Sequence, residues 1–459
     1  LFPGDPTQRA LCRELYASVA QLPIISPHGH TDPTWFAYDE PFPSPTALLL
    51  APDHYLYRMM FSQGIDIEDL GVAPLAGAPR TSPRDAWRLF ASHYHVFRGT
   101  PSRIWLDTVF ATVFGIDVRL DATTADHYYD TIEHALTLPS FRPRALFERF
   151  GIEVLATTES PTDTLQHHQA IVASGWGGRV VTAYRPDPVV DADREDFQAA
   201  LTQFAEITNE DTHDWEGYLA AHRKRRQDFI GLGATSSDHG HPTALTADLA
   251  PKEAASLFQR IVRGKGSAQD HELFRAHMIT EMAAMSCDDG LVLQIHPGSM
   301  RNHNQPLFTR FGRDKGADIP TRTDFVRNLK PLLDRFGSDK RLSIIVFTLD
   351  ESAYARELAP LAGHYPALKL GPAWWFHDSP EGMRRFREQT TETAGFYNTV
   401  GFNDDTRAFL SIPARHDVAR RVDCGFLARL VAEHRLELDE AHEVAIDLAY
   451  RLPKQAYRF

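Results

Sequence analysis

The chain has 459 residues, 43% of them hydrophobic, enough for two average domains or one large one. Its 48 basic residues are outnumbered by 61 acidic ones, a formal charge of -13, which argues against a phosphate-backbone binder and its concentrated basic surface. Three well-separated cysteines (Cys12, Cys287, Cys424) make neither a disulfide framework nor a thiolate metal site, and no apolar run nears the ~20 residues of a membrane helix.

The opening "LFPGDPTQRALCREL" lacks the basic start and apolar core of a secretion signal, so a soluble cytoplasmic protein is expected. Eight short apolar, β-branched runs bounded by turn residues then read as buried strands. They are "LPIIS" (22–26), "IEVLATT" (152–158), "GRVVTAY" (178–184), "DFIGLGAT" (228–235), "GLVLQIH" (290–296), "LSIIVFT" (342–348), "ALKLG" (367–371) and "YNTVGF" (397–402). Amphipathic helical stretches separate most of them, and the runs lack strict alternation, as strands covered on both faces do. The pattern predicts an α/β fold, a (β/α)8 TIM-type barrel.

Between the first two runs, residues 34–145 are dominated by helical patterns, far more than one barrel connection needs. They are expected to form a large helical insertion after the first strand, within a single elaborated barrel domain spanning 1–459. Two further helical patterns follow the last run, and the basic "HRKRRQ" at 222–227 is expected on a solvated helix face. Neither nucleic acid nor membrane is an expected partner; a homo-oligomer is a plain prior.

Barrel enzymes place their chemistry at the carboxyl ends of strands. Here those ends carry His28 and His30, Glu159, Arg185, Asp238 and His239, His296, Asp350, Trp374 and Trp375, and Asp405 with Arg407. Three His-x-His pairs occur, so spacing alone does not choose among them. His93 and His95 lie in a helix-like stretch, where the two side chains diverge. His239 and His241 sit among turn residues; His28 and His30 follow the first strand directly, where i and i+2 share a face and can converge on one ion. A catalytic zinc-type site needs a further ligand and an open position. "GFNDDTRAF" offers Asp404 and Asp405 after the eighth run, the neighbour of the first once a barrel closes, although a helix cap would also explain an aspartate there.

A His-x-His after the first strand with an aspartate after the eighth is similar to the ligand pattern of the amidohydrolase superfamily. Within it the chain resembles the uronate isomerases, on stretches spread over nearly its whole length. These are "DHYLYRMMFSQGI" (53–65), "VTAYRPD" (181–187), "SSDHG" (236–240), "LQIHPGSMRNHN" (293–304), "GPAWWFHDSPEGMRRFREQ" (371–389) and "DDTRAFLSIPARHDVARR" (404–421). The chain departs from the family in having Ser26 and Pro27 where an aspartate commonly opens the first motif, and Glu159 and Ser160 where two aspartates commonly precede a proline.

The resemblance implies one divalent metal per chain, Zn2+ first, held by His28, His30 and Asp405. It implies a sugar-acid substrate and an aldose–ketose isomerisation: D-glucuronate to D-fructuronate, or D-galacturonate to D-tagaturonate. A proton must leave C2 and arrive at C1 while a hydroxyl and a carbonyl exchange protons. Asp405 is assigned the base at C2, Tyr55 the shuttle between O1 and O2, and His54 the positioning of the sugar. Arg185 and Arg407 are assigned to the carboxylate and the polarised carbonyl, in a pocket expected to be locally cationic. His296, Asp238 and Trp375 are assigned to substrate binding. The competing class is a mononuclear metal-dependent hydrolase on the same scaffold; a binuclear one is disfavoured because the third and fourth runs end without a lysine.

Overall fold

Six helices begin with one local rule: an Asp, Ser or Thr whose side chain accepts a backbone N–H, followed at once by proline. The pairs are Asp5-Pro6, Asp32-Pro33, Ser44-Pro45, Ser82-Pro83, Thr100-Pro101 and Ser379-Pro380. The cap satisfies an orphan donor, and proline supplies the helical φ at a position that needs no N–H; each such cap is worth about 1 kcal/mol. Residues 1–459 are described by a computed structural model.

The strands are β1 (Ile24–Ser26), β2 (Ile152–Glu159), β3 (Arg179–Tyr184), β4 (Ser236–His239), β5 (Val292–Ile295), β6 (Ser299–Met300), β7 (Ile319–Pro320), β8 (Ile344–Val346) and β9 (Leu368–Leu370). Seven of them form one sheet in the order β1-β2-β3-β4-β5-β8-β9, with every pairing parallel. Short β6 and β7 pair antiparallel beside it. Parallel neighbours require helical crossovers, which is why helices alternate with strands along this part of the chain.

Two expected strands differ. The fourth run, 228–235, begins inside the helix Trp215–Gly231, and the strand lies just beyond it at Ser236–His239. Phe229 belongs to the buried face of that helix with Tyr218, His222, Arg225 and Arg226. The strand itself is Ser-Ser-Asp-His, buried throughout yet without an apolar side chain to announce it. The eighth run contributes a single parallel bridge, Thr399 to Leu370, and no further ladder.

The basic run at 222–227 lies only partly on a solvated face, with Arg223, Lys224 and Gln227 exposed. Arg225 and Arg226 are buried, and Arg226 grips Asp289 through Nε at 2.6 Å and Nη2 at 2.9 Å. The planar guanidinium matches the two carboxylate oxygens, which is what makes burying that charge tolerable.

Between β1 and β2 run the helices from Pro33–Tyr38 to Pro143–Arg149. Their apolar faces share one core with the sheet: Leu56, Trp87, Phe90 and Phe110 are buried with Ile24 of β1, Ile152 of β2 and Val180 of β3. Each such large side chain contributes about 1.5–3 kcal/mol on burial. His54 and Tyr55, at the start of the helix His54–Phe61, are thereby carried to the carboxyl edge of the sheet.

Candidate active site

The loop after β1 is laced to its neighbours by backbone bonds. His30 N donates to Thr406 O at 3.1 Å, and Thr158 Oγ1 donates to Gly29 O at 2.9 Å. These fix His28 and His30 opposite Asp405. His28 Nε2 lies 3.6 Å and His30 Nε2 3.4 Å from Asp405 Oδ1. The other carboxylate oxygen accepts the indole N–H of Trp374. Asp405 has a positive φ, 36°, a conformation that aspartate, asparagine and histidine adopt more often than other non-glycine residues. Its neighbour Asp404 is spent elsewhere, accepting from His416 Nε2 at 2.9 Å, so the ambiguity in "NDD" resolves to Asp405.

Electrostatics match this geometry. Burial pushes the His30 imidazolium down to about 3, leaving a neutral ring. Burial alone would raise Asp405, but His28, His30 and the Trp374 indole outweigh it and hold the carboxyl at about 2. Asp405 Oδ1 is buried with no hydrogen-bond partner. Two imidazoles and an unpaired carboxylate oxygen are the donor set of a divalent ion. Ligand atoms about 2.0–2.2 Å from a tetrahedral ion stand roughly 3.4 Å apart, so His28, His30 and Asp405 fit one.

The cavity above them has a volume of about 330 Å³ and is lined by 29 residues, only 4 of them hydrophobic, which favours a polar ligand. The expected cationic character is absent: six arginines face six aspartates around the lining, with Glu159 beside them. The arginines are already paired. Arg185 Nε donates to Asp187 Oδ2 at 2.9 Å, and its Nη1 lies 3.5 Å from Asp238. Arg407 makes one intramolecular bond, Nη2 to Asp314 Oδ2 at 3.0 Å. An incoming anion therefore competes for donors that the protein holds in place with its own carboxylates.

Of the remaining expected residues, His54, Tyr55, His296 and Trp375 line the cavity. Burial, then Arg407, lowers His54 to about 4, so it too is neutral. Asp238 sits behind the lining, fully buried, with Oδ1 2.6 Å from His296 Nε2. Burial works against its charge, but His296, His28 and Arg185 keep it ionised. Trp375 stands edge-on to His54 at 5.8 Å, with Arg301 over its ring. Asp350, at the end of β8, is outside the lining; its carboxylate accepts from Ser352 and the Thr323 backbone. The His239/His241 pair converges with Asp187, their ligand atoms within 4.8 Å, but Asp187 is already held by Arg185 and the Gly240 N–H.

Four residues were missed in the sequence. Asp187 and Asp314 hold the arginines, and Asp378 with Arg415 holds Tyr55. Asp187 could have been found from its place two residues after Arg185 in "YRPD"; the other three come from distant segments, and no local spacing marks them.

A parallel α/β sheet whose strand ends gather a His-x-His pair and an aspartate defines an amidohydrolase-like protein. A putative metal-dependent hydrolase from Lactobacillus casei superposes on it with a TM-score of 0.53 at 14% identity, covering 97% of both chains, a likeness of fold alone. The chain belongs to the glucuronate isomerase family, whose model matches residues 7–457. It is 70% identical over 458 residues to the uronate isomerase of Phenylobacterium zucineum, covering 100% of this chain and 95% of that one. It is also similar to the crystal structure of glucuronate isomerase from Caulobacter crescentus: TM-score 0.99, 65% identity, 100% of this chain and 95% of that one. The chain is an isomerase of that family, and the hydrolase alternative is not favoured.

Proposed function

We propose that the chain interconverts D-glucuronate and D-fructuronate, and D-galacturonate and D-tagaturonate, by carrying a proton from C2 to C1 through an enediolate. One observation supports this most: a base, a phenol and two arginine forks share one polar cavity in a chain of this family. In this reading Arg185 or Arg407 takes the C6 carboxylate by its parallel donors, and the other faces the carbonyl. The neutral His54 and the cavity aromatics orient the ring. Asp405, ionised and fixed through Trp374, takes the proton from C2 and returns it to C1. Tyr55 moves the hydroxyl proton between O2 and O1, and such positioned acid–base groups contribute about 10²–10⁴-fold each.

His28, His30 and Asp405 would hold the divalent ion, with Zn2+ favoured by two imidazoles and a carboxylate. When bound, it would supply Lewis-acid polarisation of a sugar oxygen. None of the cavity-lining residues is a lysine, which supports one ion rather than a lysine-bridged pair.

The finer fold reading belongs here too. Closure of the sheet into an eight-unit barrel through 397–402 is supported by the Leu370–Thr399 bridge and by the His30 N to Thr406 O bond. The core shared between residues 34–145 and the first three strands supports one domain with a helical insertion. A place in hexuronate catabolism is supported by the family match, and a cytoplasmic one by the three free cysteines, which a reducing compartment maintains.

Proton NMR of the protein with D-glucuronate or D-galacturonate in D2O tests the activity. Loss of the aldose signals and growth of the ketose is the expected result. No change with either sugar, using folded and metal-replete protein, overturns it.

A further inference from the structure

Tyr55 is held at both ends by carboxylates. Its backbone N–H donates to Asp53 Oδ1 at 2.9 Å, the helix cap. Its phenol lies 3.1 and 3.0 Å from the two oxygens of Asp378, and the Phe376 N–H approaches the phenolic oxygen at 3.4 Å. Asp378 also accepts from Arg415 Nη1 at 2.9 Å. Arg415 is fixed in turn by Ser411 Oγ at 3.0 Å and by the Trp105 ring, whose centroid is 3.6 Å from its guanidinium carbon. Asp378 and Arg415 are both buried, yet Asp378 is absent from the cavity lining while Tyr55 faces it.

This arrangement constrains what Tyr55 can do. A phenol has one proton, and here it points at a carboxylate. Towards the cavity Tyr55 therefore offers an oxygen that accepts. Taking a proton from the sugar hydroxyl would leave a doubly protonated oxygen unless the first proton moves on. A buried ion pair is also costly compared with apolar packing of the same volume, so its presence behind a reactive phenol calls for a reason other than stability.

We propose that Asp378 is the positioning residue behind Tyr55 and stores the proton in transit. As the sugar O2–H passes its proton to the Tyr55 oxygen, the O–H bond of Tyr55 breaks and its proton forms a bond to Asp378. When O1 is protonated by Tyr55, Asp378 returns the stored proton. One proton has moved from O2 to O1, and both side chains end as they began. Arg415 keeps the carboxylate in line and offsets its charge. Burial, opposed by Arg415, raises the Asp378 carboxyl above its ordinary range, and burial raises the Tyr55 phenol well above its own, so a free tyrosinate is avoided.

The inference rests on the isomerase reading, and two measurements separate them. The first is steady-state turnover for wild type, Tyr55→Phe, Asp378→Asn and the double variant. Asp378→Asn is expected to lose about 10²–10³ in kcat with KM within about threefold, in the range of positioned acid–base groups. The double variant is expected to match Tyr55→Phe within about twofold, because a residue acting only through Tyr55 adds nothing once it is gone. Losses that multiply, or a wild-type kcat in Asp378→Asn, overturn the proposal. If Asp378→Asn fails to fold with Arg415 unpaired, Asp378→Asn/Arg415→Met removes both charges and is held to the same criteria. The second needs no turnover: carbon-13 NMR of ring-labelled tyrosine, with Tyr55 assigned by its loss in Tyr55→Phe. A Tyr55 signal that shifts in Asp378→Asn supports the pairing; an unmoved signal overturns it whatever the activity. Absence of turnover in wild type, with the shift present, sinks the isomerase reading instead.

Discussion

Trp374 donates its indole N–H to one oxygen of Asp405 and leaves the other facing His28 and His30. The carboxylate is thus divided between a fixed anchor and a free ligand atom. Trp374→Phe keeps an aromatic ring, though a smaller one, and removes the donor. Outer-shell partners of this kind are worth about 10–100-fold in metal affinity or activity, and that is the loss expected in metal retention after dialysis and in kcat. Unchanged retention and rate would mean that the indole only packs.

Metal content separates the two buried His-x-His pairs. Elemental analysis is expected to find one divalent ion per chain in wild type and none in His28→Asn/His30→Asn. The variant His239→Asn/His241→Asn should keep its ion, because Asp187 is committed to Arg185. Two ions in wild type would add a second site after β4, and loss from the second variant alone would move the site there.

Asp314 occupies Arg407 before any sugar arrives. The pair is half exposed, 37% and 51% for the two side chains, so it is worth up to about 1 kcal/mol. Asp314→Asn frees the fork and is expected to lower KM for the sugar acid by up to about fivefold, with kcat held. A raised KM would show that Asp314 orients Arg407 instead of competing for it. The main-chain bond from the Tyr57 hydroxyl to Asp314 O is untouched by this change.

Glu159 gives a pH dependence of known sign. Burial raises its carboxyl from an ordinary 4.5 to about 8, against the Thr182 and Thr157 hydroxyls that donate to it. A raised folded value means that its contribution to stability is intact below 4.5 and is lost as pH rises through about 8. The slope is at most about 1.4 kcal/mol per pH unit for one proton. Glu159→Gln removes this term, so its melting temperature should gain on wild type steadily between pH 5 and 8.5. Parallel curves would show that the carboxyl ionises in the fold without penalty.

The sequence announced most of this fold because parallel strands covered on both faces must be apolar. β2, β3, β5, β8 and β9 fall within or beside the runs read for them. It failed at β4, where Ser236, Ser237 and Asp238 are buried on hydrogen bonds and charge, and the apolar signal slid back onto a helix. The site divided in the same way. Residues at strand ends were legible from position: His28, His30, Arg185, His296, Asp405. Those acting at one remove, Asp378 and Arg415 above all, were not. What makes them matter is a contact with Tyr55, more than 300 positions away in sequence. The cationic pocket was misjudged partly for the same reason, since the carboxylates that hold Arg407 and Arg313 come from other segments, although Asp187 lies two residues from Arg185.

His28 stands near the beginning of the chain and Asp405 near its end. On a ribosome adding about 5–20 residues per second, the stretch between them takes on the order of half a minute to emerge. Throughout that interval the nascent protein carries a histidine pair without its carboxylate. A chain cut short before Asp405 lacks the carboxylate of the site. The pocket therefore forms late in synthesis: it cannot close before Asp405 has joined the fold.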